Sequence, residues 1–363
     1  MWATSLAAIA CARPGASNGT GSTVPPTPGG SPETSPTQAV PPSPTPSPAT
    51  QPAITAAQPK VPVSMVRGPD PSSTVARAVD MAGGLHGLKP GGIVLIKPNV
   101  NSDDPYPSTT NPAVVRAVVE VVKRYNPGRI VVADRSNASY NTLRAMQRTG
   151  IYEQASAAGA EVVGLENEEW VNVKPQGASH WRMLKVPRLL LDADYVISVP
   201  VAHTHFLAGY SMALKNWVGM IHPSDRNLLH NEQPGYDPSN DSSPPDDVVH
   251  YYGQRIAEAN LPRRASFVVI DATKALISGG PFGGEEVQPG TVIASRDVIA
   301  ADAAGLALLT YLGAWDAVSK IPVWQQPQIA HAAELGLGVK SYREIALSGE
   351  GVDELETIRA LMA

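Results

Sequence analysis

The segment from Pro200 to His230 concentrates side chains that can transfer protons, bind anions or hold metal ions. It contains four of the chain's eight histidines, namely His203, His205, His222 and His230. One residue separates His203 from His205, and on an extended strand that spacing places both imidazoles on one face. A divalent metal held by His203, His205 and Asp134 is therefore one prediction, with His222 as an alternative third ligand. The other interpretation is that both histidines hydrogen-bond loop backbone or bind an anion as neutral donors.

Basic side chains in and before this segment predict a site for a small anionic molecule. Lys97, Lys215 and Arg226 would together form a clamp for a carboxylate or a phosphate, if the fold makes them converge. Under this hypothesis the catalytic residues are His205, Lys215 and Lys97, and the substrate-binding residues are Asn99, Asn216 and Arg226. Alternatively, Lys215 satisfies only the terminal carbonyls of a helix predicted over 207–218.

Short apolar runs precede most of these side chains and are typical of strands buried on both faces. The runs are 92–97, 129–134, 195–199, 266–271 and 291–295. Stretches with helical spacing separate them, such as the one that follows Asn111-Pro112, where Asn111 is the predicted N-cap. This alternation predicts an α/β fold: an open, mostly parallel sheet with helices on both faces.

Polar residues at the ends of these strands predict one shared site. The carboxyl ends of parallel strands meet at one edge of a sheet, and ligands bind beyond that edge. The residues concerned are Lys97, Asn99, Asp134, His203, His205, Asp271, Arg296 and Asp297. The alternative is that these are ordinary strand ends. The glycine-rich loop 279–284 lacks the spacing of a nucleotide-binding loop and is predicted to be a lid or a close backbone approach to the ligand.

The composition argues against several classes of protein. The net charge of −5 and the pI near 5.9 are unlike those of a nucleic-acid binder. The single cysteine, Cys11, rules out a disulfide within the chain and a zinc site built from cysteines. No run of 18 or more consecutive apolar residues follows, so the body of the chain is not predicted to span a bilayer.

The first 60 residues predict export. Residues 1–11 are mostly small and apolar and end at Cys11, which resembles the end of a bacterial lipoprotein signal. A start codon further upstream would supply the basic region that is missing. Residues 12–60 are rich in proline, serine and threonine and predict a disordered linker, whereas 61–363 form the α/β domain. We expect an extracytoplasmic protein whose membrane contact is a lipid on Cys11; an incidental cysteine in a short disordered N-terminus is the alternative.

Several motifs together resemble the family known as domain of unknown function 362. They are Lys97-Pro98-Asn99, Thr109-Thr110-Asn111-Pro112, Ala133-Asp134, Val199-Pro200, Thr204-His205 and Leu214-Lys215-Asn216-Trp217-Val218-Gly219. Many members of that family carry a cysteine-rich, ferredoxin-like segment. This chain lacks those cysteines, so no iron–sulfur cluster is expected. Members often have Lys-Thr-His where this chain has His203-Thr204-His205, which removes a positive charge or adds a ligand.

Two functions remain open at this point. The first is an extracytoplasmic enzyme that acts on a small anionic substrate, with or without a divalent metal. The second is a non-catalytic lipoprotein that binds a solute or a metal. A single sheet with one pocket would favour the enzyme, whereas two lobes around a cleft would favour the binding protein.

Overall fold

The computed structural model describes residues 59–231 and 246–363, and Cys11 and almost all of the predicted linker lie outside these ranges. The described residues belong to one compact unit, Ala56–Ala363. Their strands are β1 (Val61–Arg67), β2 (Ile93–Pro98), β3 (Arg129–Asp134), β4 (Glu161–Gly164), β5 (Trp170–Val173), β6 (Leu184–Pro187), β7 (Tyr195–Val199), β8 (Val201–His205), β9 (Gly209–Ser211), β10 (Phe267–Leu276), β11 (Glu286–Val287), β12 (Thr291–Ser295) and β13 (Ile345–Glu350).

The helices alternate with these strands along the chain. They are α1 (Pro71–Met81), α2 (Pro112–Lys123), α3 (Thr142–Arg148), α4 (Ile151–Ala157), α5 (Arg188–Asp192), α6 (Ala213–Asn216), α7 (Pro223–Asn231), α8 (Asp246–Glu258), α9 (Val298–Tyr311), α10 (Asp316–Ser319), α11 (Pro327–Glu334) and α12 (Leu355–Met362). None of the helices in the described ranges is long and apolar enough to cross a lipid bilayer.

The main sheet has the strand order β13-β1-β12-β10-β7-β2-β3-β4, with β8, β9 and β11 attached beside β10. Strand β12 runs antiparallel to both of its neighbours, β1 and β10. The other neighbouring pairs along this path are parallel. Helices α1, α2, α3 and α4 pack on one face, and α6, α8, α9, α11 and α12 pack on the other. The predicted α/β class, with a mostly parallel sheet covered on both faces, is confirmed.

Local sequence signals account for the helices that flank the site. The Oδ1 atom of Asn111 accepts a hydrogen bond from the backbone N of Ala113 at 3.0 Å, and Pro112 occupies the first turn, so α2 begins as predicted. Apart from Asp302, helix α9 is apolar on all sides over 298–309, because these residues are buried. Asp297 caps its first turn.

The helix predicted over 207–218 is wrong. Gly209 adopts a φ of 73°, and the chain turns back so that β9 forms an antiparallel ladder with β8. Within 207–218 only α6 is an α-helix, and a 3₁₀ turn, Trp217–Met220, follows it. The apolar residues that suggested a helix are buried here because the hairpin and the short helix both lie inside the fold.

Arg296 and Asp297 do not lie at the predicted edge of the sheet. The two residues follow β12, and because that strand is antiparallel, its carboxyl end points to the opposite edge. Arg296 there lies near Pro62 and His86. The apolar run alone carried no information about strand direction, so this part of the predicted site is corrected.

Candidate functional site

The topology of the sheet creates a crevice between β2 and β7. The chain leaves β2 through α2 to reach β3 and β4 on one side, and later returns to place β7 on the other side of β2. Ligands in open α/β sheets bind beyond the carboxyl ends of the strands at such a switch point. Lys97 of β2 pairs in register with Ser198 of β7 at this place.

Two adjoining cavities open at this edge, and together they are called the cleft below. The outer cavity has a volume of about 330 Å³, and the inner cavity one of about 50 Å³. Five residues line both cavities: Asn101, Lys215, Val218, Arg226 and Pro281. The cavities are therefore parts of one hollow rather than separate sites.

The side chains predicted for catalysis, substrate binding and metal binding all line this cleft. Lys97, Asn99, Asp134, His203 and Asn216 line the inner cavity, His205 lines the outer cavity, and Lys215 and Arg226 line both. Asp271 lines neither cavity. Its Oδ2 atom accepts a hydrogen bond from the backbone N of Asn111 at 2.9 Å, so it anchors the start of α2.

A buried ion pair forms the floor of the inner cavity. Lys97 Nζ lies 2.7 Å from Asp134 Oδ1, and the two side chains are 1% and 2% exposed. Lys97 Nζ also donates to Pro98 O at 2.8 Å and to Asn216 Oδ1 at 3.0 Å. Burial lowers the pKa of Lys97, and the Asp134 carboxylate opposes that shift. All three ammonium hydrogens of Lys97 are directed at protein oxygens, so its side chain is held in one position.

Asn216 and Arg226 hold the walls of the cleft together. The Asn216 amide nitrogen donates to Lys97 O at 3.1 Å and to Ser198 Oγ at 3.0 Å, which ties α6 to β2 and β7. The Arg226 guanidinium donates to four backbone carbonyls, those of Ile221, Ser136, Arg135 and Gly219. Both residues were predicted to bind the substrate, which stays a prediction, and their contacts here hold neighbouring segments of the cleft together.

Lys215 differs from the other basic residues of the cleft. Within the described ranges its amine has no hydrogen-bond acceptor and no carboxylate partner. The side chain is half-buried and lines both cavities. Burial, together with the nearby charges of Arg226 and Lys97, lowers the pKa of Lys215 to about 7. Near neutral pH, this amine is thus present in both its charged and its neutral form.

His203 and His205 both hydrogen-bond backbone groups, His203 within β8 itself and His205 in the turn after β8, so the alternative interpretation, contact with loop backbone, describes His205 only. His203 Nδ1 lies 2.7 Å from the carbonyl oxygen of Thr204, which can only accept, so the proton is on Nδ1 and Nε2 has a lone pair. Burial lowers the pKa of His203 to about 4. His205 Nδ1 accepts hydrogen bonds from the backbone N of Leu207 at 3.1 Å and of Ala208 at 3.2 Å.

The predicted metal ligands do not form a cluster. Asp134 uses Oδ1 for Lys97 and Oδ2 for the backbone N of Val100, and His205 Nδ1 is occupied by two backbone N–H groups. His222, the alternative ligand, bonds Ser224 outside the cleft. The side chain of His230 lies outside the described part of the chain.

Three other side chains in the described ranges could hold a metal ion. They are His180, Glu258 and His331, whose ligand atoms lie within 4.8 Å of one another. These residues are far apart in sequence and have no common spacing, so no sequence pattern indicated them.

Sequence reasoning also missed Asp302, whose carboxylate holds the first turn of α6, the helix that carries Lys215. Its carboxylate accepts hydrogen bonds from the backbone N of Ala213 at 2.7 Å and of Leu214 at 3.0 Å, in the first turn of α6. Burial raises the pKa of Asp302 to about 7. The signal in the sequence that could have indicated Asp302 was its position as the one carboxylate in a helix that is otherwise apolar.

Two glycines let the backbone close the cleft. Gly219 passes beside Lys97 and Asp134, and Gly280, with a φ of 66°, packs against the carbonyl of Thr204. Pro281, in the glycine-rich loop after Gly280, lines both cavities. The loop therefore forms one wall of the cleft.

Comparisons with known proteins match the central part of the chain. The model of the family described as Domain of unknown function (DUF362) matches residues 94–307. A thylakoid-associated protein of Synechocystis sp. is 23% identical over 218 residues, which are 59% of this chain and 62% of that protein.

Two solved structures are distantly similar. The lactate racemase apoprotein of Thermoanaerobacterium thermosaccharolyticum aligns with a TM-score of 0.40 and 16% identity over 58% of this chain and 50% of that one. A protein of Thermotoga maritima aligns with a TM-score of 0.34 and 10% identity over 56% and 51%. The chain thus spans less than two thirds of each of these relatives. Because the family model matches more than half of the chain, the protein belongs to the DUF362 family, the domain of unknown function 362.

Proposed function

We propose that this protein is an enzyme that takes a small organic anion, a carboxylate or a phosphate, into the cleft and transfers a proton through Lys215. The observation that carries this proposal is the Lys215 amine, which has no partner among the described residues and lies near two further cations. An amine in that position binds an anion when charged and accepts a proton when neutral.

The charge balance of the cleft supports an anionic ligand. Asp134 neutralises Lys97, and Glu166 lies 3.5 Å from Arg135. Lys215 and Arg226 have no carboxylate partner among the described residues, so the cleft retains positive charge. Because these cations are shielded from bulk water, their attraction for an anion is stronger than at an exposed surface.

The size and the fixed groups of the cleft support chemistry on a small molecule. A volume of about 330 Å³ in the outer cavity is at the small end of ligand pockets. Arg226, held in place by its own hydrogen bonds, can stabilise negative charge that develops on the substrate. Lys215 then removes the proton as a general base, and the lone pair of His203 Nε2 is a second acceptor beside it.

The architecture favours an enzyme over a two-lobed binding protein. The described residues form one compact unit around one main sheet, and the cleft lies at its edge. A binding protein of the two-lobed kind would close two domains around its solute. The alternative function, a non-catalytic solute-binding lipoprotein, therefore has less support.

Competitive chemical labelling tests the role of Lys215. The full chain is treated with a trace of acetic anhydride at a series of pH values, and acetylation of Lys215 and of the exposed Lys89 is followed by mass spectrometry. We expect Lys215 to become half-reactive near pH 7 and to be protected by inorganic phosphate or by a small carboxylate. Reactivity like that of Lys89 at every pH, without protection by any anion, would remove the proposal.

A proton-transfer reaction can be tested directly. A panel of small carboxylates and phosphate esters is incubated with the chain in D₂O, and exchange of carbon-bound hydrogen is read by NMR. We expect exchange in at least one compound, its loss in Lys215→Met, and its retention in Lys89→Met. Exchange that survives Lys215→Met would show that another base does the chemistry.

We also propose that the chain is exported and anchored to the cell membrane through a lipid on Cys11. The support is the position of the chain's single cysteine at the end of an apolar segment, followed by a proline-rich stretch. Such a stretch would hold the catalytic unit away from the membrane surface.

A further inference from the structure

We infer that His180, Glu258 and His331 form a binding site for a divalent cation of the zinc type, separate from the cleft. His180 precedes β6, Glu258 is the last residue of α8, and His331 lies on α11. Three segments that are distant in sequence thus contribute one ligand atom each, and these atoms lie within 4.8 Å of one another. None of the three residues lines the cleft.

The geometry of the three groups suits zinc. Glu258 Oε1 lies 2.8 Å from His180 Nδ1 and 3.1 Å from His331 Nε2. Ligands at about 2.0–2.2 Å from a tetrahedral ion lie roughly 3.4 Å apart, so small outward movements of the side chains admit an ion. Two imidazoles and one carboxylate are a common zinc ligand set.

One oxygen of Glu258 faces more groups than it can readily accept. Besides the two imidazole nitrogens, Oε1 accepts a hydrogen bond from the backbone N of Ser179 at 2.8 Å. A carboxylate oxygen has two lone pairs, so three nitrogen groups around one oxygen atom are an excess. A cation between the nitrogens and the oxygen would replace two of these hydrogen bonds with coordinate bonds.

His331 is held as metal-bound histidines usually are. Its Nδ1 atom lies 3.2 Å from Glu334 Oε2, while Nε2 faces Glu258 Oε1. If Nδ1 donates its proton to Glu334, Nε2 presents a lone pair to the carboxylate of Glu258. Two acceptors that face each other at 3.1 Å need a proton or a cation between them. A carboxylate that orients the other ring nitrogen is typical of ligating histidines.

The carboxylate of Glu258 is positioned in advance. Its side chain is fully buried, and its Oε2 atom accepts a hydrogen bond from the backbone N of His180 at 2.9 Å. The side chains of His180 and His331 are 20% and 11% exposed, so water can reach the fourth position of a bound ion. The ion would hold α8 against α11, and α8 carries Tyr252, which lines the outer cavity.

Metal titration of the full-length chain, produced without a histidine tag, tests this site. The chain is stripped with a chelator and titrated calorimetrically with Zn²⁺ and with Co²⁺, whose absorption spectrum reports its coordination. We expect one equivalent to bind, a visible Co²⁺ spectrum of a four-coordinate ion, and a higher melting temperature with metal than with chelator. Absence of stoichiometric binding would overturn the inference.

Variants locate the ion. We expect His331→Gln to abolish stoichiometric binding, and Glu334→Gln to weaken it roughly 10–100-fold through the loss of the orienting carboxylate. His86→Gln, which changes an exposed histidine elsewhere, and His203→Gln, in the cleft, should leave the affinity unchanged. Affinity lost in His203→Gln but kept in His331→Gln would overturn the inference. The Glu334 side chain is 75% exposed, so that variant remains informative if His331→Gln does not fold.

Discussion

Gly219 lies directly against the ammonium group of Lys97: a β-carbon at position 219 would lie 2.5 Å from Lys97 Nζ and would also collide with Asp134. Both neighbours are buried and paired, so neither can move without breaking the ion pair. The glycine of the Lys-Asn-x-x-Gly motif is thus explained by the close approach of the 3₁₀ turn to the floor of the cleft.

Gly219→Ala is therefore expected to destabilise the protein and to impair anion binding. The added methyl group overpacks a buried site, which typically costs about 1–3 kcal/mol of unfolding free energy. Urea unfolding and anion-induced thermal shifts measure the two effects. Gly87→Ala places a methyl group in open space, where only the positive φ of 90° is unfavourable, and it should keep the anion response. An unchanged anion response in Gly219→Ala would contradict this prediction.

Replacing Lys215 with methionine should stabilise the protein most at low pH. The pKa of Lys215 is about 7 in the folded protein and 10.5 in the ordinary case, so below pH 7 the folded protein buries a charge that the unfolded chain exposes to water. Between pH 7 and 10.5 the unfolded chain binds more protons, and stability of the wild type rises with pH. The loss of stability caused by the buried Lys215 charge is therefore largest below pH 7 and disappears as the pH approaches 10.5.

Melting temperatures of wild type and Lys215→Met across about pH 6 to 10 would measure this effect. We expect the variant to melt at a higher temperature at the acidic end of this range and the difference to shrink as the pH rises. Lys89→Met, at an exposed position, should show no such trend. A constant difference at every pH would mean that the pKa of Lys215 is not lowered.

Removal of the Asp302 carboxylate should loosen the short helix that carries Lys215. Asp302→Ala leaves the backbone N–H groups of Ala213 and Leu214 buried without acceptors, at about 1–3 kcal/mol each. Asp302→Asn keeps one acceptor oxygen, so its loss of stability should be smaller. Chemical denaturation gives both values, and labelling of Lys215 shows whether its environment has changed.

The exposed Asp353 provides the control for these variants. Asp353→Ala is expected to change the unfolding free energy by less than about 0.5 kcal/mol, as is usual for surface positions. If Asp302→Ala lowered the unfolding free energy no more than Asp353→Ala does, the two hydrogen bonds from backbone N–H groups to Asp302 would not be what holds α6 in place.

Cys11 should carry a lipid in cells that process lipoproteins. Mass spectrometry of the N-terminal peptide of membrane-extracted protein is expected to find a diacylglyceryl group on Cys11 at the new N-terminus. Cys11→Ser should lose the lipid and leave the membrane fraction, whereas Ser17→Ala should behave as the wild type. An unmodified Cys11 in membrane-extracted protein would refute the proposed anchor.

The amino-acid sequence determined by itself the features that depend on neighbours along the chain. Apolar runs without alternation predicted β2, β3, β7 and β10, and the Asn111-Pro112 pair predicted the start of α2. Polar residues at the ends of parallel strands were expected to meet at one edge, and Lys97, Asp134 and His203 do line one cleft. The predictions of the strands and of the helix start held because side-chain burial and helix capping depend on residues that are close together in the sequence.

Only the tertiary structure decided which of these polar groups are paired and which are available. Asp134 pairs with Lys97, Lys215 has no partner among the described residues, and β12 runs opposite to its neighbours. His180 and His331 meet at Glu258 although 151 positions separate the two histidines in the chain. Strand direction, hydrogen-bond partners and local desolvation all depend on contacts between distant segments. The local residue pattern does not predict those contacts.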